Sequence, residues 1–272
     1  MSLFNIIKSS TYRMSLFLLN NYRIILATTR TEIKRRYAGS VFGKTWAILY
    51  PLLFLSMYLF LYLVVFQVRF PQFSQLEYVL YVFCGLVPYL AFMECMNFSG
   101  TCLKQNIELV KNVVIPIEII PVRTVLMTVI SEMVGIIILA LLAAINGSLS
   151  LHILWLPLII FFQVIAFMGI AWLISPVGIL FPDINYITNL FVIFLLFISP
   201  IGYQVDMLNG QYLLVVYANP IYYMLEIFRS SILYGELPSL TIFTAYVGIC
   251  LILFITGCTV FSKFKDIIMD YE

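Results

Sequence analysis

The stretch Leu103–Arg123, LKQNIELVKNVVIPIEIIPVR, sets Lys104, Glu108, Lys111, Glu118 and Arg123 between two long apolar blocks. The blocks are Tyr78–Phe98 and Ile119–Ile145. Each reaches the roughly 20 apolar residues that cross a bilayer as a helix. A charged elbow between two such spans has no soluble core to join. It sits in water at one membrane face, where it is free to meet another molecule. No other segment between the first and last spans is as densely charged.

Composition agrees. The 272 residues are 63% apolar and 10% charged, with a mean hydropathy of +1.05. A soluble domain carries about 25% charged residues. The expected class is therefore an all-α integral membrane protein. Cys84, Cys95, Cys102, Cys250 and Cys258 lie in or beside apolar runs, with no CxxC or Cys/His cluster. They read as small apolar side chains, and no metal site is expected. No cleavable signal peptide is expected, because the chain starts polar and the first full-length span follows residue 45.

Six spans are expected, at about Trp46–Val68, Tyr78–Phe98, Ile119–Ile145, Leu154–Phe181, Ile187–Tyr203 and Ile242–Phe261. The short connections Arg69–Glu77 and Asn146–His152 read as external turns. Residues 1–45 hold eight of the fifteen basic residues. In this region Leu19, Tyr22, Leu26, Ile33 and Tyr37 recur at helical spacing, opposite Arg23, Arg30 and Lys34. That is the pattern of an amphipathic helix lying in the membrane interface. With both termini inside, thirteen basic residues face the cytoplasm and only Arg69 and Arg229 face out. This satisfies the positive-inside rule. The expected divisions are an interface segment at 1–40, a membrane domain at 41–265 and a cytoplasmic tail at 266–272.

Ser199–Pro238 does not read as a simple loop. Two short apolar runs, Tyr212–Ala218 and Ile221–Leu233, are flanked by Pro200, Gly202, Asn209-Gly210, Asn219-Pro220, Gly235 and Pro238. Neither run is long enough to cross. Two re-entrant half-helices forming an outer gate between spans five and six are expected. Irregular backbone at membrane depth survives only where protein or a wet cavity covers it.

Other features carry less. GSVFGKT at Gly39–Thr45 resembles a phosphate-binding loop, but Ala38 stands where the spacing needs glycine and a membrane span follows at once. Nucleotide binding by this chain is not expected. His152, the single histidine, reads as a solvated loop residue. Glu94, Glu132 and Glu226 fall at or near membrane depth, where an ionisable group marks function by default. They could form a proton path, pair with Arg123 or Arg229, or meet polar groups across a subunit interface. Glu226 and Arg229, three residues apart, can pair on one helix face. Tyr50, Tyr58, Tyr62, Tyr81 and Tyr89 lie along the first two spans. They could line a wet conduit for a sugar polymer or serve in packing and interfacial belts.

Several motifs resemble one family. Arg36-Tyr37-Ala38-Gly39-Ser40-Val41-Phe42-Gly43, followed by Trp46 and Pro51, resembles the start of the membrane domain in type-2 ABC exporter permeases for polysaccharides. These export O-antigen, capsule or teichoic acid. Asn106, Leu109-Val110-Lys111, Pro116, Glu118 and Pro121 resemble the family's segment between spans two and three. Ser199-Pro200-Ile201-Gly202-Tyr203, Asn219-Pro220 and Phe228-Arg229 resemble its outer re-entrant region. The match runs over roughly residues 30–265. One departure is Phe181-Pro182-Asp183-Ile184, where the family usually carries Arg before the Asp, so no contact by that Arg carries over.

The resemblance implies a homodimeric, channel-forming permease with two copies of a separate ABC ATPase docked below. ATP and Mg would bind in that partner and no cofactor in this chain. A lipid-linked glycan, here O-antigen on undecaprenyl pyrophosphate, would pass between the subunits in the bacterial inner membrane. It also implies coupling to the ATPase through Asn106, Glu108, Leu109, Lys111, Asn112, Pro116 and Glu118. Arg23, Arg30, Lys34, Arg35 and Arg36 would lie on the interface helix among membrane lipids. Pro200, Tyr203, Asn219, Pro220, Glu226 and Arg229 would belong to the outer gate. Nucleic acid is not an expected partner. Two other classes compete: a proton-coupled secondary transporter using Glu94 and Glu132, and a membrane-embedded glycan enzyme. Neither inverted repeats nor a paired-acid or metal cluster is visible in support of them.

Overall fold

The computed structural model describes residues 3–36, 38–65, 67, 73–107 and 115–271, with side chains described between 9 and 265. The described residues are helical and contain no strand. Two helices, α1 (Leu3–Asn20) and α2 (Tyr22–Arg36), precede α3 (Trp46–Leu59). Then come α4 (Gln75–Ser99), α5 (Cys102–Gln105), α6 (Ile119–Asn146), α7 (Leu156–Leu180) and α8 (Ile184–Ile198). Two short helices follow, α9 (Gly210–Ala218) and α10 (Pro220–Arg229), and then the long α11 (Leu240–Tyr271).

Among the described residues, five segments are long and apolar enough to cross a membrane: Gly43–Val65, Gln75–Ser99, Ile119–Asn146, Leu151–Leu180 and Leu240–Lys265. They match five of the six expected spans. The remaining one, fifth in chain order and expected at Ile187–Tyr203, is the 15-residue helix α8 followed by non-helical backbone. At 1.5 Å per residue α8 is about 22 Å long, short of the ~30 Å hydrocarbon core.

Local chemistry sets the ends. Ser74 and Glu77 form a reciprocal capping box at the start of α4. Gly147, at φ 75°, closes α6, and the Ser148 amide reaches back to the Ala143 carbonyl at 3.0 Å. This left-handed closing turn suits glycine. Pro121 stands in the first turn of α6 and Pro220 opens α10, both positions where a missing N–H costs little.

α4 is the buried centre of the bundle and packs on α6, α7, α8 and α10. α7 and α11 form the closest helix pair. A Cβ on Gly169 would lie 2.2 Å from the Leu253 carbonyl oxygen, and one on Gly257 would lie 2.2 Å from that of Gly169. Small residues let helix backbones approach where lipid supplies no hydrophobic drive. A second core, around Leu103, Ile119, Ile120, Trp172, Cys258 and Phe261, lies at the elbow end.

The amino-terminal segment differs from the expected single amphipathic helix. A break at Asn21 separates α1, which packs on α11, from α2, which packs on α6. Met14, Ile25 and Thr29 are buried, while Leu19, Tyr22 and Leu26 are exposed. The packed stripe is thus offset from the apolar stripe read in the sequence. Thr29 fits it because its hydroxyl donates to its own helix, at Ile25 O, 2.7 Å away. The exposed apolar stripe remains available to membrane lipid.

Candidate functional site

Two clusters of polar side chains stand out, one at each end of the bundle. The first holds Pro200–Tyr203, the non-helical backbone after α8. Arg229 Nη2 donates to the carbonyls of Pro200 (2.5 Å) and Ile201 (3.1 Å). The Tyr78 hydroxyl donates to Gly202 O and the Tyr81 hydroxyl to Tyr203 O, each at 3.0 Å. Four successive carbonyls that no helix satisfies are thereby capped by side chains. An uncapped peptide group buried in an apolar medium costs several kcal/mol.

Arg229 is fully buried. Its Nη1 donates to Glu226 Oε1 at 2.8 Å, and its guanidinium carbon stands 3.7 Å from the centroid of the Tyr81 ring. The three-residue pairing read from the sequence is therefore present. Gly85 leaves room for it, since a Cβ there would lie 3.3 Å from Nη2. Asn219 completes the cluster: its Nδ2 donates to Ser199 Oγ (2.9 Å) and its Oδ1 caps α10 at the Ile221 amide (3.0 Å). Stacked Tyr58 and Tyr62 close over Gly202, where any side chain would clash with both rings. Two π-helical turns, Phe60–Val65 and Ser230–Tyr234, flank the cluster. Such turns are frequent at functional sites.

The second cluster lies at the elbow end. Glu118, buried, accepts from Lys265 on α11, and its carbonyl accepts from the Trp172 indole of α7 at 3.3 Å. Arg123 at the start of α6 lies 3.6 Å from Glu32 of α2. One turn further along α2, Arg36 pairs with Glu94 of α4 and donates to Ser131 of α6 at 3.2 Å. The elbow's return and α2 are thus tied by ion pairs to α4, α6 and α11, and by the Trp172 hydrogen bond to α7.

Among the residues expected to couple to the ATPase, Pro116 lends its carbonyl to the Ile119 amide at the turn into α6. Asn106 and Glu118 are buried, Asn106 donating to Cys102 O at 2.8 Å and Glu118 pairing with Lys265 of α11. Glu108, Leu109, Lys111 and Asn112 lie outside the described residues. Arg23, Arg30, Lys34 and Arg35 are exposed on α2, whereas Arg36 turns inward. Tyr81 and Tyr89 are buried, with their hydroxyls donated to Tyr203 O and Val192 O; they pack the protomer and do not line a surface. Tyr58 is buried too, and Tyr50 is exposed. Pro200 and Tyr203 sit within the clamped segment, and Pro220 begins α10.

Glu94 and Glu132 take neither arginine partner read for them. Glu94 meets Arg36, and Glu132 accepts from Gln163 Nε2 at 2.9 Å. Sequence reasoning missed Glu32, Gln163 and Lys265. Two carried a signal: Glu32 is the sole acid in residues 1–45, and Gln163 is an amide in the middle of an apolar span. The glycine-rich stretch leads through a tight turn, Gly43–Thr45, into α3, and no strand precedes it among the described residues. His152 meets Ser150 in a partly exposed turn. All five cysteines are buried free thiols, and no group of metal-ligating side chains occurs among the described residues.

A bundle of long apolar helices with one polar cluster at each end defines a multi-span membrane protein. The chain belongs to the ABC-2 type transporter family, whose model matches residues 23–233. It is 30% identical over 250 residues to an O-antigen export system permease protein RfbA of Klebsiella pneumoniae, covering 90% of this chain and 93% of that one. A second RfbA of the same organism is 26% identical over the same shares. The polysialic acid transport protein KpsM of Escherichia coli is 26% identical over 81% of this chain and 88% of its own.

Proposed function

We propose that this chain is the membrane-spanning subunit of an ATP-driven exporter that carries a lipid-linked polysaccharide across the bacterial inner membrane. The cargo is O-antigen on undecaprenyl pyrophosphate, with capsular polysaccharide as the next choice. The observation that carries this reading is the near full-length similarity to permeases named for O-antigen export. The chain is not itself an enzyme. ATP and Mg are bound by two copies of a separate ABC ATPase that dock at the elbow, Leu103–Arg123.

The subunit works as a homodimer. Supporting this, α3 and α8 carry large exposed apolar side chains, among them Leu53, Met57, Leu190 and Phe197. The protein crosses six times, the fifth crossing made by α8 together with the clamped Ser199–Tyr203 segment. Both termini face the cytoplasm, and α9 and α10 re-enter from outside as a gate. Arg229 pins the backbone at that gate while Glu118 and Arg123 tie the elbow to the spans.

Deleting the gene in its host tests the reading. Polysaccharide still attached to its lipid should accumulate inside the inner membrane, and plasmid-borne wild type should restore surface display. Normal surface polysaccharide in the deletion strain would reject it.

A further inference from the structure

A cavity opens beside the Arg36–Glu94 pair, among α2, α3, α4 and α6. Its volume is about 330 Å³, within the roughly 300–1,000 Å³ of small-ligand pockets. Its lining includes Arg36, Glu94, Ser131 and Glu132 together with Trp46 and Tyr50.

Glu132 is the telling residue. It is 4% exposed. Its Oε1 is satisfied by Gln163, but its Oε2 has no hydrogen-bond partner among the described residues. A buried polar atom of that kind calls for a partner. Arg36 is paired with Glu94, while Glu132, which also lines the cavity, keeps one oxygen unpartnered among the described residues. Trp46 and Tyr50, in the same lining, are 38% and 48% exposed.

The ligand must bring a hydroxyl to the acid and a flat apolar face to the rings. A pyranose sugar does both. Its hydroxyls donate and accept, so they suit Glu132 in either protonation state. Its C–H faces pack on aromatic rings, which offer a broad apolar surface beside a polar tip. A bare cation suits the cavity less well, because the Arg36 guanidinium shares the wall.

We propose that this cavity is a sugar subsite on the polysaccharide path, where Glu132 bonds a hydroxyl of one sugar residue and Trp46 and Tyr50 cover its ring. This rests on the export reading above. The subsite lies on the protomer's own helices, near the elbow-side ion pairs, and meets the chain before it reaches the outer clamp.

The test uses the chain purified with its ATPase in lipid nanodiscs. The probe is the host's own polysaccharide, freed from lipid by mild acid and fluorescently labelled. Glu132→Met keeps the side chain's length and removes both carboxyl oxygens, so a sugar hydroxyl has nothing to bond there. Trp46→Ala removes the ring from a partly exposed position, where folding is little affected. Glu132→Met should weaken binding by about tenfold, the scale of a lost hydrogen bond, and Trp46→Ala by about as much through the lost ring contact. Trp46→Tyr should recover most of the loss. Unchanged binding in both variants overturns the subsite, as does a wild-type complex that exports native cargo but does not bind the probe. Phospholipid retained by wild type and lost in Glu132→Met, with probe binding unchanged, assigns the cavity to lipid and overturns it as well. A wild-type complex that exports no polysaccharide overturns the export reading itself, and the subsite with it.

Discussion

Arg229 Nη2 lies 2.5 Å from the carbonyl oxygen of Pro200, twenty-nine residues earlier in the chain. That bond joins the end of α10 to the backbone leaving α8 and makes the outer cluster one unit. Replacing Arg229 with Met would leave Glu226 and two carbonyls without their donor. Removing one partner of a buried charged pair costs about 3–5 kcal/mol. Thermal unfolding in detergent should show a large loss for Arg229→Met. Tyr78→Phe and Tyr81→Phe should each cost about 1 kcal/mol, one neutral hydrogen bond apiece. A melting temperature unmoved by Arg229→Met would dismiss the clamp.

The elbow-side tether makes a different prediction. Lys265→Glu places two acids together at Glu118, while the double change Glu118→Lys with Lys265→Glu restores opposite charges. The single variant should lower export per ATP hydrolysed by about fivefold, and the double variant should recover part of it, as expected for coupled neighbours. Equal effects of the single and double variants would mean that the pair carries no coupling.

Close backbone contact between α7 and α11 predicts intolerance of size. Gly169→Leu or Gly257→Leu must push the helices apart, because the obstructing atoms are backbone. Overpacking of this kind costs about 1–3 kcal/mol or more. Yield of folded protein by size-exclusion chromatography should fall sharply for either variant. Gly248→Leu, on the same helix as Gly257 with open space around it, should be tolerated.

Single cysteines across Leu213–Ile221, introduced with the native thiols retained because they are buried, probe the gate. Leu214 and Tyr217 are exposed in this structure, and Val216 and Asn219 are buried. Labelling by an impermeant maleimide should follow that pattern without nucleotide and change when the ATPase is trapped with ATP. Uniform labelling in every state would describe an ordinary external loop.

Much of the fold is legible in the sequence because membrane helices satisfy their own backbone, so apolar length alone locates them. Five spans and both short helices before α11 follow from that rule. The fifth expected span overruns α8 because Ile198–Tyr203 continues its largely apolar run. Pro200 and Gly202 mark a break in that run, but the donors that hold it, Tyr78, Tyr81 and Arg229, are distant in sequence. Partners of the buried acids are hidden for the same reason. Glu94 and Arg36 are fifty-eight residues apart, and no periodicity links them. The pairing of Glu226 with Arg229 is legible because both sit on one helix turn. A ring beside a conduit and a ring in the packing look alike in a sequence, so the burial of Tyr58, Tyr81 and Tyr89 is not legible there.

ATP-dependent export in proteoliposomes holding this chain and its ATPase tests the central claim most directly. Transport of native lipid-linked polysaccharide should require both chains and ATP. It should persist when the proton gradient is collapsed and fall sharply when Glu108 and Lys111 are reversed in charge. Transport by this chain alone, driven by a proton gradient and indifferent to ATP, would contradict the account.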